Sequence, residues 1–161
     1  MIEVARDYCE KTGLQSIRPS TGSAEALTFE DGAFDTVISL DLLHHVESID
    51  NVINETYRVL KPGGHFFVFE PNICCPLMFV AHALPPEERL AVKRNMPGRL
   101  VSLLERRFVS LKWEGVCDLI TQTTGLKRTV LDTYLYVTRA LGFQKLYPRQ
   151  AWLGVKKDGR T

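Results

Sequence analysis

The sequence predicts an α/β fold organised around a parallel sheet, and three observations lead to that class. Two runs rich in β-branched and aromatic residues, Phe34-Asp-Thr-Val-Ile-Ser-Leu40 and His65-Phe-Phe-Val-Phe-Glu70, read as buried strands. Between them Ile49, Val52, Ile53, Tyr57, Val59 and Leu60 recur at helical spacing over 47–60. Glycine turns, Asp31-Gly32 ahead of the first run and Lys61-Pro62-Gly63-Gly64 ahead of the second, mark the joins. The whole unit of about 37 residues has the size of a right-handed βαβ crossover.

The other elements follow in chain order. Ile2, Ala5 and Cys9, with Val4 and Tyr8, form one helical stripe over 1–12, and Gly13 is its C-terminal stop. No Ser, Thr, Asp or Asn introduces that helix, so a segment upstream of it is expected to be missing. Leu14-Gln-Ser-Ile-Arg18 reads as a short strand. Beyond Pro71-Asn72 the composition shifts. Residues 85–112 hold prolines at 85, 86 and 97 and seven basic side chains, with a helical stretch over 99–108, which together read as a helical insertion over the sheet. A further helix over 129–141 ends at Gly142, and 143–147 with 151–156 read as a closing antiparallel hairpin.

Composition bounds the function classes. At 161 residues and 45% hydrophobic, the chain has the size and apolar content of one domain. Its longest strongly apolar run, 76–84, falls well short of the roughly 20 residues that cross a bilayer. The opening residues lack the basic start and apolar middle of a secretory signal, so cytoplasmic residence is expected. Cys9, Cys74, Cys75 and Cys117 follow neither a disulfide nor a CxxC metal spacing, and no metal is expected. Residues 1–60 carry 4 basic and 11 acidic side chains, whereas 61–161 carry 16 and 8. Those dispersed cations fit a solvated face better than a nucleic-acid stripe.

Three motifs in order carry a family resemblance. Gly22-Ser-Ala-Glu-Ala-Leu-Thr-Phe-Glu-Asp-Gly-Ala-Phe-Asp-Thr-Val37 resembles the link between the third and fourth strands of class I S-adenosylmethionine-dependent methyltransferases, of the type 11 and quinone-biosynthesis-like group. Leu42-Leu-His-His-Val46 is similar to the turn after their fourth strand. Glu55-Thr-Tyr-Arg-Val-Leu-Lys-Pro-Gly-Gly64 is similar to the helix and turn leading into the fifth. The resemblance covers 1–75 well, 141–157 moderately and the insertion poorly.

It implies a Rossmann-like methyltransferase sheet of strand order 3-2-1-4-5-7-6 that here lacks its first two strands, with a helical insertion and a C-terminal antiparallel hairpin. The expected division is one partial domain: 1–75 as the cofactor-side βαβ part, 76–140 as insertion and acceptor cap, 141–157 as closing hairpin. The family's glycine-rich turn belongs ahead of Met1, and no GxGxxG run occurs in the chain. The third strand would then be left with an open edge, suited to a dimer.

The resemblance implies S-adenosylmethionine as cofactor and methyl transfer to a small-molecule acceptor, impaired here by the lost loop. Ser23 and Ala24 match the pair against the adenine, and Leu40 matches a backbone contact to the cofactor. A serine stands at 23 where many relatives carry an acidic or amide side chain. Glu25 and Asp41 belong to the same two loops. His45, after a strand end, and Glu70, at the end of the next strand, are the candidate catalytic residues, placed where a base meets an acceptor hydroxyl. The alternative from another class is a non-catalytic binding or dimerisation module.

Overall fold

A computed structural model of the chain describes residues 2–84, 97–117 and 124–158. Helix α1, Ile2–Lys11, buries none of its residues, so the apolar stripe that defines it faces outward. The strand expected at 14–18 does not form: the chain there turns and bends, with Leu14 and Ile17 exposed. A strand exists only through its ladder, and among the described residues nothing pairs with this segment.

The βαβ unit forms where predicted, but its first strand is not the buried one expected: only Ser39 of 34–40 is buried, because the strand has a neighbour on one side alone among the described residues. Strand β1 is Phe34–Leu40, helix α2 is Ile49–Val59, and strand β2 is Leu60–Pro71. Ser48 caps α2 by accepting the Asn51 N–H at 3.3 Å, and the helix buries Ile49, Val52, Ile53, Thr56 and Val59 against the sheet. Each such aliphatic side chain contributes about 1.5–3 kcal/mol by leaving water. The expected turn at 61–64 lies inside β2. It is absorbed as an irregularity of the parallel ladder, whose register passes from Phe34 opposite Leu60 to Thr36 opposite His65. Gly64 is required there because a Cβ would lie 2.8 Å from the Lys61 carbonyl oxygen and 3.1 Å from that of Asp35.

Helix α3, Pro76–Ala83, helix α4, Pro97–Arg107, strand β3, Phe108–Val116, and helix α5, Gly125–Ala140, follow, and a 3₁₀ turn at Gln144–Leu146 leads into strand β4, Arg149–Lys156. The sheet runs β1-β2-β4-β3, with β1 and β2 parallel and β4 antiparallel to both of its neighbours. This is the 4-5-7-6 portion of the order that the resemblance implied.

Two expectations change. The 76–140 stretch is not wholly helical, because β3 lies within it. The closing hairpin at 141–157 is not formed by 143–147, which holds the 3₁₀ turn; β4 inserts between β2 and β3 instead. A bulge explains why β3 escapes a period-two pattern: the register shifts between Val109 and Lys112, with Ser110 at φ +53°.

Helices α2 and α4 cover one face of the sheet, where Val52, Ile53, Leu60, Phe66, Val68, Leu100, Leu104, Phe108 and Trp152 form the core. The opposite face carries cross-strand rows read from the register, Ile38–Phe67–Leu153 and Leu40–Phe69–Ala151. Strand β1 is the outer strand on its side, with Ile38 and Leu40 each 61% exposed. The open edge therefore belongs to β1 and not to 14–18.

Candidate functional site

The carboxyl ends of β1 and β2 meet in a loop that a single carboxylate shapes. Glu70 is completely buried, and its Oε1 accepts the backbone N–H groups of Leu42 and Leu43, each at 2.8 Å. Its Oε2 lies 2.6 Å from Nδ1 of His44, itself buried. With Oε1 already holding two donors, the hydrogen-bond network makes His44 Nδ1 the donor to Oε2. The ring of exposed His45 lies 3.9 Å from that of His44, and His82 of α3 approaches His44 edge-on at 5.6 Å.

At the start of this loop Asp41 takes a left-handed conformation, φ +48°, donates its N–H to the Phe69 carbonyl at 2.9 Å, and pairs its carboxylate with Arg149. Such backbone is uncommon for a residue with a Cβ, though Asp tolerates it better than most. Arg149 also lies 5.5 Å above the Phe69 ring. Ligand atoms of Asp41, His44 and Glu70 fall within 4.8 Å of one another. Their hydrogen bonds to Arg149, to one another and to the backbone already occupy them.

The second loop, 22–31, is held from α2. Ser23 accepts the Glu25 N–H at 3.2 Å, and the Glu25 carboxylate accepts the Glu47 N–H at 2.8 Å, tying this loop to the one after β1. Ser23 stays exposed, and Ala24 and Glu25 are half-buried. Glu55 accepts the Leu27 N–H at 2.8 Å, while Arg58 donates to the carbonyls of Leu27 and Phe29 and pairs with Asp31 and Glu55. The Arg58 guanidinium, with help from the Leu27 N–H, lowers the Glu55 carboxyl to about 2, and the same partners, Glu55 first, raise Arg58.

Below the loops a buried amide lattice joins the C-terminal strand to β2. Asn72 donates to the carbonyls of Lys145 and Tyr147 and accepts from the Cys74 N–H, and Gln150 donates to the Pro71 carbonyl. The hydroxyl of Tyr134 donates to the Leu146 carbonyl at 2.7 Å, and its pKa is pushed up by burial first and then by the Cys75 thiol.

The structure thus draws Leu40, Asp41, His45 and Glu70 to one strand end, and Glu25 links the Ser23–Ala24 loop to it. Arg149 and Gln150 had no signal of their own in the sequence, since a polar pair at the head of a strand is ordinary. His44 was visible only as one of two adjacent histidines.

Residues 1–68 match the methyltransferase domain family. Over 70 residues the chain is 33% identical to the uncharacterized methyltransferase YcgJ of Bacillus subtilis, covering 44% of this chain and 28% of that one. Over 71 residues it is 41% identical to the ubiquinone/menaquinone biosynthesis C-methyltransferase UbiE of Brucella anthropi, covering 44% and 27%. The aligned part is about a third or less of the length of these curated relatives. Among solved structures, YcgJ of Bacillus subtilis superposes with a TM-score of 0.63 at 18% identity, over 99% of this chain and 79% of that one. A possible histamine N-methyltransferase of Thermotoga maritima gives 0.63 at 17% identity, over 92% and 69%. At such identities these likenesses show the fold.

Proposed function

We propose that the protein uses S-adenosylmethionine to methylate a small-molecule acceptor, because residues 1–68 match the methyltransferase domain family and the sheet has the Rossmann-like methyltransferase order. The observation that carries this proposal is the Glu70 clamp on Leu42, Leu43 and His44, because open parallel sheets hold their ligands beyond the carboxyl ends of the strands.

The residues present fit the adenine end of the cofactor. Leu40 offers an exposed apolar lip, Ser23 an exposed hydroxyl, and Glu25 and Asp41 frame the two loops between them. No GxGxxG run lies in these 161 residues, which supply the adenine side of the cofactor site and not the close glycine approach. When bound, S-adenosylmethionine supplies an activated methyl group.

The remaining work is positioning and proton removal. Glu70 orients His44 and fixes its tautomer, and Nε2 of His44 accepts the acceptor's proton. Exposed His45, its ring tilted against that of His44, lines the acceptor side. Glu70 thereby acts through His44 as a positioning residue. A dimer through the sheet edge and a cytoplasmic location belong to the same proposal. No helix of the described residues is long and apolar enough to cross a membrane.

Calorimetric titration with S-adenosylmethionine tests the cofactor, and formation of S-adenosylhomocysteine with candidate acceptors tests transfer. Saturable heat is expected. Absence of heat at millimolar cofactor, in a preparation with a cooperative unfolding transition, would overturn the proposal.

A further inference from the structure

Helix α5 has one packed side and one apolar side that is not packed. Leu131 and Thr138 are buried, and the Tyr134 hydroxyl, bonded to the Leu146 carbonyl, pins the helix ahead of β4. Leu126, Val130, Val137 and Leu141 share a second stripe at the helical period of roughly 3.6 residues, yet stand 45% to 80% exposed. Helix α3 behaves alike: only Met78 is buried, while Phe79 and Val80 stand about half in solvent.

Both helices belong to one end of the sheet. Pro71 of β2 and Val116 of β3 each pair with Arg149 at the start of β4, so the chain leaves β2 and β3 on the side that carries Glu70 and His44. The strands that the implied order adds lie beyond β1, on the flank away from β3 and the helix that follows it.

Charge selects the partner. Residues 125–148 carry Lys127, Arg128, Arg139 and Lys145 against Asp132 alone, four cations less one anion for a net charge of +3. Residues 76–84 add no acid. We infer that α5 lies on an anionic lipid surface, with its aliphatic stripe among the headgroups and its cations drawn to them. Arg128 and Arg139 sit across a helix about 10 Å thick, comparable to the Debye length of about 8 Å, so they still feel the surface. A second copy laid on the same stripe would bring like charges together. Among the described residues no helix is long and apolar enough to cross a bilayer, and α5 has the composition to rest on one.

The docking does not rest on methyl transfer, and cofactor titration without lipid reports separately on that activity. Sedimentation with vesicles of equal parts phosphatidylglycerol and phosphatidylcholine is expected to carry the protein down, and pure phosphatidylcholine vesicles are expected to leave it in solution. Raising the salt should release it. Val130→Glu with Val137→Glu, two exposed positions, should weaken binding about tenfold or more with unaltered circular dichroism. Val4→Glu on exposed α1 should bind as the native chain does. The inference is overturned by a native chain that stays in solution with anionic vesicles, by equal binding to neutral ones, or by binding that ignores salt. It is overturned equally by a folded double variant that still binds, or by a lipid-free dimer that this variant dissolves.

Discussion

Nδ1 of His44 lies 2.6 Å from Oε2 of Glu70, and the two side chains are 5% and 0% exposed. A carboxylate at the end of β2 thereby dictates the shape of a loop that left β1 some 26 residues earlier. Three donors converge on it, two from the backbone and one from the ring.

Glu70→Ala strands those three donors, two of them buried and the Leu42 N–H partly so. An unsatisfied buried donor costs about 1–3 kcal/mol, so the variant should lose about 3 kcal/mol or more. Urea unfolding measures this, and a loss under about 0.5 kcal/mol, within the range of ordinary surface changes, contradicts the clamp. Glu70→Gln, which keeps one carbonyl acceptor, should fall between the two.

His44 and His45 separate in transfer assays. If His44 Nε2 takes the acceptor's proton, His44→Gln should lower kcat by about 10²-fold or more, the usual worth of a general base. His45→Ala should act mainly on KM. Equal losses in kcat from both would remove the distinction between them.

The Glu55–Arg58 pair makes stability sensitive to acid. Because Glu55 is lowered from 4.5 to about 2 in the folded chain, its contribution is complete above about pH 4.5 and is lost as the pH falls toward 2. Glu55→Gln should destabilise by about 1–2 kcal/mol at neutral pH, the scale of a charge-assisted hydrogen bond. Thermal scans from pH 7 to pH 2 should then show the native and variant curves converging at the acid end. A constant gap between them contradicts this account.

Gly115 is the tightest approach in the sheet. A Cβ there would stand 2.3 Å from the Gln144 carbonyl oxygen, which is backbone and cannot swing aside. Gly115→Ala should therefore cost about 1–3 kcal/mol and loosen the 3₁₀ turn. Exchange protection of the Leu146 and Tyr147 amides, which bond back to Phe143 and Gln144, reports that loosening. Unchanged protection would argue that the turn is held from elsewhere.

The sequence revealed those parts of the fold that a local pattern marks. Ile49, Val52, Ile53 and Val59 announce α2 because one helical face is buried, while β1, whose burial follows no period, is announced by the β-branched and aromatic content of 34–40. Strand β3 was hidden for two reasons. It begins at Phe108 directly after Arg107 ends a helix, and the bulge at Ser110 shifts its alternation by one. The run at 14–18 has the apolar content of a strand but no partner among the described residues, and pairing is a property of neighbours that composition does not carry.

In the site, two adjacent histidines are equivalent on paper. Only the position of Glu70 turns His44 inward and leaves His45 outside. Arg149 reaches Asp41 across 108 positions, a distance over which no local pattern speaks.

Strand β4 pairs with both β2 and β3, and those two strands share no ladder of their own. β3 therefore has no ladder to join until residues 149–156 slot between them, when Lys156 also latches onto the carbonyls of Tyr57 and Leu60 at 2.6 Å. Closure of the sheet is a late, non-local event in folding, and such steps are slow. Until it happens, β2 and β3 each keep an unpaired edge, the kind of surface through which incompletely folded chains associate.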